Sequence, residues 1–361
     1  ADSEKLFRIT AAFSDGKGEP MSFCSFVSDK GNFVSDKNGA VTFALKAGEE
    51  ITFENIPENT RFIISEAEMP AGFSLKNLPE QLSGKVTADK NEKVILENGY
   101  SPLGVSPGIS VCGSKTIAGR EWLSSDSFTF VLEKLNNGEW EKIAEKTVTE
   151  ENRGFDFSEE IGNEKFTLPG VYSYRIYEKQ GSSGGMTYDR TQYEFSFTVT
   201  DNDTDGKLEI SDISGAEKSG GDTLEIVCVF TNEYEAQNCL VGISGIKTLD
   251  GKALEDGEFT FSLYEADENF LKKISPLCSA ENGEDGVFSF SPLEFQNPGV
   301  YRFVVLENTE KAEDNLTCDG SEYFVTVRVF DTGEGSLDYE ISVEKNGIFV
   351  KEILFKNIYE E

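Results

Sequence analysis

The 361-residue chain carries 66 Asp and Glu against 33 Lys and Arg, which gives a formal net charge of −33. This charge repels polyanions and argues against nucleic acids and anionic membrane surfaces as partners. Histidine is absent, which excludes Ser-His-Asp triads, Cys-His dyads and histidine metal ligands. No apolar run approaches the roughly 20 residues that span a bilayer, so we expect no membrane insertion.

The side-chain composition favours an all-β protein. The chain has 28 Phe and 12 Tyr but only 10 Pro, and aromatic residues are enriched in strands. The six cysteines form no CxxC pair, so we expect no metal site and no cofactor. Cys278 and Cys318 are the best candidates for a disulfide, with isolated thiols as the alternative.

Residues 1–100 predict a short β-sandwich. Apolar side chains alternate along TRFIISEAE (60–68) and along the segment that closes with ILENGY (95–100), which is typical of half-buried strands. Alternate residues of a strand share a face. Glu66 continues one apolar row and Asn98 continues the other, so both are predicted to point into the core.

Residues 101–236 predict a second sandwich, which begins at the Pro- and Gly-containing stretch SPLGVSPG. The same alternation places Lys115, Glu178 and Asn232 on the core-facing side of three predicted strands. Each of them lies in a row of otherwise apolar or small residues, so three polar side chains share one interior.

Residues 237–361 repeat the second segment and predict a third sandwich. ISVCGSKTIAGREWLSSDSFTFVLEK, from residue 109, aligns with VGISGIKTLDGKALEDGEFTFSLYEA, from residue 241, and both copies close with a similar FxNxY pattern. The corresponding inward polar residues are Lys247, Glu307 and Asn357. The fold predicted for the whole chain is therefore three antiparallel β-sandwiches in a row.

A lysine, a glutamate and an asparagine buried together suggest a reaction. Burying an unpaired charge costs several kcal/mol, and desolvation lowers the pKa of a lysine while it raises that of a glutamate. A neutral amine can attack the asparagine carbonyl while the protonated glutamate bonds the carbonyl oxygen and shuttles protons, so that ammonia leaves and a Lys–Asn isopeptide bond forms. The alternative from the residues alone is a buried salt bridge capped by asparagine.

The ordered set Lys-Thr-Ile/Leu, FTF, YxYxIxE, TYD…Y and FTNxY resembles the FctA-type domain of Gram-positive backbone pilins and related cell-wall adhesins. The resemblance covers residues 105–361. Residues 1–100 resemble the shorter Cna-B-like sandwich, one kind of immunoglobulin-like domain. The resemblance implies Lys115–Asn232 and Lys247–Asn357 bonds, with Glu178 and Glu307 as catalysts, and assigns Glu66 and Asn98 to the same roles in the first domain.

The first domain lacks an obvious lysine. Counting back from Phe7, by analogy with the spacing before the FTF strands, places that lysine before Ala1. We expect the opening strand of this domain to lie outside the sequence. The alternatives are that Lys5 substitutes for the missing lysine, or that another chain supplies the strand.

The segment DNDTDGKLEISD (201–212) matches the acidic positions of an EF-hand loop. Predicted strands flank it on both sides, so we expect a hairpin turn here, with a calcium site as the alternative.

The resemblance implies a structural cell-surface protein rather than an enzyme, with self-cross-linking as a single-turnover event. It would be a pilin shaft subunit or adhesin stalk, extracellular, in a pilus or anchored to the cell wall, and joined to other pilin subunits by sortase. No anchoring signal is visible in the sequence. The alternative is an adhesin that binds a host or carbohydrate ligand.

Overall fold

The computed structural model describes residues 4–215, 217–218, 224–309 and 315–360. As predicted, the described chain is almost entirely β-structure, and its sheets pack into sandwiches. The buried apolar side chains form three separate cores, built from residues of the N-terminal, central and C-terminal parts of the chain. We call these parts the first, second and third units. No helix in the described ranges is long and apolar enough to cross a membrane.

The first unit has a four-stranded sheet, a three-stranded sheet and a two-stranded ribbon. Their orders are β4-β1-β6-β8, β3-β2-β5 and β7-β9, and a 3-10 turn covers Pro79–Leu82. The strands are Leu6–Ser14 (β1), Ser25–Ser28 (β2), Gly31–Val34 (β3), Ala40–Lys46 (β4), Phe53–Glu54 (β5), Arg61–Glu68 (β6), Phe73–Leu75 (β7), Ser83–Lys85 (β8) and Asn98–Tyr100 (β9).

The second unit has two five-stranded sheets. Their orders are β13-β10-β19-β15, with β18 also paired to β19, and β12-β11-β14-β16-β17. The elements are Ile109–Ala118 (β10), Ser127–Asn136 (β11), Glu139–Thr149 (β12), Gly154–Asp156 (β13), the helix Ser158–Gly162 (α1), Gly170–Glu178 (β14), Met186–Thr187 (β15), Gln192–Thr200 (β16), Glu209–Ser214 (β17), Glu217–Lys218 (β18) and Leu224–Tyr234 (β19).

The third unit repeats this architecture. Its sheets have the orders β24-β21-β31-β27 and β23-β22-β26-β28-β29-β30, with a separate β20-β25 pair. The strands are Cys239–Val241 (β20), Ser244–Asp250 (β21), Thr260–Ala266 (β22), Cys278–Glu281 (β23), Val287–Ser289 (β24), Leu293–Phe295 (β25), Gly299–Glu307 (β26), Leu316–Thr317 (β27), Tyr323–Asp331 (β28), Leu337–Lys345 (β29), Ile348–Val350 (β30) and Ile353–Tyr359 (β31).

In the second and third units the opening strand pairs in parallel with the closing strand. Lys115 of β10 lies opposite Phe230 of β19, two positions before Asn232, and β21 and β31 repeat this register around Lys247 and Asn357. Parallel neighbours need a long crossover, and here nearly the whole unit forms it. Because residues two apart share a face, the lysine and asparagine side chains point to the same side of their sheet.

In each of the first two units, a tyrosine of the closing strand is hydrogen-bonded to a hairpin of the following unit. The Tyr100 hydroxyl donates to Asp201 Oδ1 at 3.2 Å and accepts the N–H of Gly206 at 3.2 Å. Tyr234 likewise donates to Asp331 Oδ1 at 2.7 Å and accepts the N–H of Gly335 at 3.0 Å. Both glycines have a positive φ (88° and 92°), which favours glycine at these positions. The acidic segment 201–206 is thus the predicted turn between β16 and β17, and Asp201 accepts the hydrogen bond that connects the first unit to the second.

We expect Tyr234→Phe to loosen the joint between the second and third units without unfolding either of them. The ring keeps its contact with Arg120, 4.8 Å from its centroid, but the carboxylate of Asp331 loses a hydrogen bond, worth about 1.5–3 kcal/mol when one partner is charged. Small-angle scattering should show a broader range of molecular lengths. Tyr301→Phe, which removes a hydrogen bond within the third unit, is the control, and equal scattering from both variants would contradict the prediction.

Candidate functional site

The structure brings Lys115, Glu178 and Asn232 together in the core of the second unit. Lys115 Nζ lies 2.8 Å from Glu178 Oε2, and Asn232 Nδ2 donates to Glu178 Oε1 at 2.8 Å. All three residues are at most 2% exposed. The lysine and the asparagine come from adjacent strands of one sheet, and the glutamate comes from β14 in the facing sheet. The glutamate therefore bridges the two groups that a cross-link would join.

Lys247, Glu307 and Asn357 form the same arrangement in the third unit. Lys247 Nζ contacts both carboxylate oxygens of Glu307, at 2.9 and 2.8 Å, and Asn357 Nδ2 donates to Glu307 Oε1. All three residues are buried. Glu307 lies opposite Phe261 on β22, as Glu178 lies opposite Phe130 on β11. The two trios thus occupy equivalent places in two copies of one fold.

Burial sets the protonation chemistry of both trios. Desolvation lowers the pKa of Lys115 and Lys247 and raises the pKa of Glu178 and Glu307, although the partners of each group oppose the shift. Aromatic rings add to the apolar surroundings: Lys115 Nζ is 5.1 Å from the Phe128 ring centroid. Both shifts favour a neutral amine beside a protonated carboxyl, the state in which a lysine is nucleophilic.

The asparagine carbonyl oxygens have a different partner from the one that the sequence suggested. We expected the glutamate to bond this oxygen, but it contacts the amide nitrogen instead. Asn232 Oδ1 accepts the backbone N–H of Asp189 at 2.8 Å, and Asn357 Oδ1 accepts that of Asp319 at 2.7 Å. A backbone N–H can only donate, so it fixes which end of the amide is the oxygen. Negative charge that develops on this oxygen would meet an aligned donor.

Asp189 and Asp319 position these donors, a role that sequence reasoning missed. The Asp189 carboxylate accepts the N–H groups of Thr191 and Thr231, and the Asp319 carboxylate accepts those of Ser321 and Lys356. Burial raises the pKa of both aspartates, but these hydrogen bonds outweigh it and the pKa is lowered overall. The signal was an aspartate at equivalent positions of both repeats, in TYD and TCD.

We expect Asp189→Ala to slow cross-linking in the second unit about tenfold while it leaves the third unit unchanged. Without its carboxylate the loop is no longer tied to Thr231, so the N–H that holds Asn232 Oδ1 is less well placed. Loss of one such donor costs about 10²–10³ in rate, and misplacement should cost less. The measurement is the loss of ammonia over time, by mass spectrometry, as freshly synthesised chain folds for the first time, and Asp189→Asn should restore part of the rate. Equal rates in the two units of Asp189→Ala would refute this role.

The first unit holds two of the three members of the trio. Asn98 Nδ2 donates to Glu66 Oε1 at 2.6 Å, but Glu66 Oε2 and Asn98 Oδ1 are buried without a hydrogen-bond partner. No lysine among the described residues pairs with Glu66. Lys5, the alternative considered from sequence, donates instead to the Thr204 carbonyl in the second unit, at 2.9 Å.

The other two sequence hypotheses concern metal and disulfides. Asp203 accepts the backbone N–H of Asp205, and Asp205 accepts that of Lys207. Within the described ranges no group of three or more His, Cys, Asp or Glu could hold a metal ion. Cys278 and Cys318 are free, as are the other four cysteines. The proposed Cys278–Cys318 disulfide is therefore not present.

A family model described as a Spy0128-like isopeptide containing domain, FctA, matches residues 111–235 and 243–360. Residues 1–100 match a domain of unknown function, DUF7601, so the Cna-B-like resemblance of this part stays a prediction. No curated protein matches the chain.

Three solved pilin structures match this chain at low sequence identity. The major pilin of Streptococcus pyogenes is 19% identical, over 70% of this chain and 98% of that one, with a TM-score of 0.25. The S. pyogenes major pilin T-13 is 16% identical, over 71% and 99%, also with a TM-score of 0.25. A streptococcal ancillary pilin is 12% identical, over 100% and 93%, with a TM-score of 0.19.

Proposed function

Because the chain belongs to the family of Spy0128-like isopeptide containing domains, we propose that it is a structural subunit of a pilus whose second and third units close themselves with Lys115–Asn232 and Lys247–Asn357 isopeptide bonds. It would lie at the cell surface and assemble with other pilus subunits. The buried Lys-Glu-Asn trio, found twice with the same contacts, is the observation that supports this function most strongly.

In the proposed reaction each glutamate acts twice. As the neutral lysine Nζ attacks the asparagine Cγ, the protonated Glu178 or Glu307 gives its proton to Nδ2, with which it is already hydrogen-bonded, and takes a proton from the attacking amine in its place. The new Nζ–Cγ bond forms, the Cγ–Nδ2 bond breaks and ammonia leaves. The N–H of Asp189 or Asp319 stabilises the carbonyl oxygen meanwhile. Nothing is turned over, because the product stays part of the chain.

The benefit of such a bond follows from where its ends lie. The lysine is on the opening strand and the asparagine on the closing strand, so each bond closes a loop of about 115 residues and contributes about 4–5 kcal/mol in the chain-entropy model. Tension that enters at one end of a unit would cross to the other end through the bond, and the hydrogen bonds between would carry little load. Such a unit would suit a protein that bears mechanical tension along its length.

The intact mass of the reduced protein tests the proposal directly. We expect the mass calculated from the sequence less two molecules of ammonia, and proteolysis should yield branched peptides that contain Lys115 with Asn232 and Lys247 with Asn357. A mass without any deficit would leave two buried salt bridges and would refute the proposed cross-links.

A further inference from the structure

The two unpartnered atoms of the first unit correspond to two satisfied atoms of the second. Glu178 Oε2 receives the lysine, and its counterpart Glu66 Oε2 is buried with no partner. Asn232 Oδ1 receives a backbone N–H, and its counterpart Asn98 Oδ1 has none. Leaving a buried polar atom unsatisfied costs about 1–3 kcal/mol. The first unit therefore keeps an acceptor and a catalyst in contact, with an unfilled position for an amine.

Among the described residues, the first unit also has no strand in the place that β10 takes in the second unit. In the second unit β19 is flanked by β10 on one side and β15 on the other. In the first unit the closing strand β9 pairs with β7, the counterpart of β15, and in the described part of the chain no strand pairs with its other edge. Val94 packs against the core of the first unit, whereas Ile95 is 60% exposed. The chain leading to Asn98 thus alternates in burial as a strand would, and it continues into β9, whose edge away from β7 has no paired strand among the described residues.

The register in the other two units shows where the missing lysine belongs. Lys115 and Lys247 each lie opposite the residue two positions before the asparagine. The equivalent position in the first unit is opposite Leu96, which faces the core side together with Asn98. A strand that ran parallel to residues 94–100 with its lysine opposite Leu96 would bring the amine to Glu66 Oε2.

We propose that the first unit is an acceptor for a lysine-bearing β-strand from outside residues 4–100, which adds to this edge and becomes covalently joined to Asn98. This inference rests on the proposed cross-linking function. The lysine Nζ–Asn98 Cγ bond forms, the Cγ–Nδ2 bond breaks, Glu66 passes the amine proton to Nδ2, and ammonia leaves. The backbone of the added strand supplies affinity and the lysine supplies the irreversible step.

The opening strand of the second unit provides a matched probe. A peptide with the sequence of residues 109–118, ISVCGSKTIA, already fits a parallel neighbour of this kind in β10. Incubated under reducing conditions with the full chain, it should raise the mass by that of the peptide less one ammonia. Fragmentation should place the new bond between the peptide lysine and Asn98.

Four variants make the test specific. The same peptide with arginine in place of lysine should give no adduct, and neither should the Asn98→Ala chain. Glu66→Gln keeps a hydrogen-bonding side chain of the same size and should lower the yield at least tenfold, whereas Glu68→Gln, an exposed acid on the same strand, should leave it unchanged.

The possible outcomes separate the two proposals. If the chain alone loses two ammonias and no peptide adduct forms, the acceptor inference is wrong while the proposed function holds. Loss of a third ammonia by the chain alone, with Asn98 joined to a lysine of residues 4–100, would overturn the inference, because the first unit would then fill the position itself. A species of twice the chain mass, less the expected ammonias and one more, would support the inference and identify a second copy as a donor.

Discussion

Glu178→Ala should fold but lack the cross-link of the second unit, so its mass should show the loss of one ammonia instead of two. Glu178 contacts both reacting groups, and without it the buried Lys115 has no proton acceptor. Loss of a bond worth about 4–5 kcal/mol should lower the unfolding temperature of this unit by about 15 °C, at roughly 2–8 °C for each kcal/mol in domains of this size class. Intact mass and differential scanning calorimetry measure the two effects.

Glu307→Ala should give the mirror result in the third unit. Glu145→Ala is the matched control, because Glu145 forms only a surface pair with Lys142 and such pairs contribute about 0–1 kcal/mol. Persistence of both ammonia losses in Glu178→Ala would exclude this glutamate as the catalyst.

Replacing Lys247 by Met and Glu307 by Leu together should destabilise the third unit by about 4–5 kcal/mol or more. The two side chains are a buried ion pair, and a buried pair can commonly be replaced by apolar residues of similar size with no loss or even a gain of stability. A large loss therefore reports the missing covalent bond. Hydrogen exchange of the β22, β26 and β28 amides measures the stability of this unit within the full chain.

Asn357→Ala is the companion to the double variant. It keeps the Lys247–Glu307 pair but removes the acceptor carbonyl, so it should lose the same cross-link and a similar amount of stability. If the double variant were as stable as the original protein, an ordinary salt bridge would explain the trio.

The fold class and the members of both trios could be predicted from the sequence. Strand parity places a residue on one of two faces, and Lys115, Glu178 and Asn232 were each the polar member of an apolar row. The repeat then supplied the same residues a second time. These inferences need only local periodicity, which the sequence contains directly.

The details that the sequence did not predict depend on contacts between distant elements. The orientation of the Asn232 amide is set by the backbone N–H of Asp189. Every residue except proline has such a donor, so the pattern of side chains does not reveal which one is used. The hydrogen bond between Tyr234 and Asp331 connects residues of two different units, and strand periodicity carries no information about contacts between units. The lack of partners for the Glu66 and Asn98 oxygens likewise depends on which groups surround them in the folded unit, and the sequence pattern does not specify those groups.

The parallel pairing of opening and closing strands also has a consequence for proteolysis. With Lys115 bonded to Asn232, every described turn between β11 and β17 lies inside a closed covalent ring, and only short stretches at either end of the unit lie outside it. A protease that cuts one exposed tip would open the ring without separating the molecule. The two sides of the cut would stay attached through the side chains, and the damaged subunit would still connect the units before and after it.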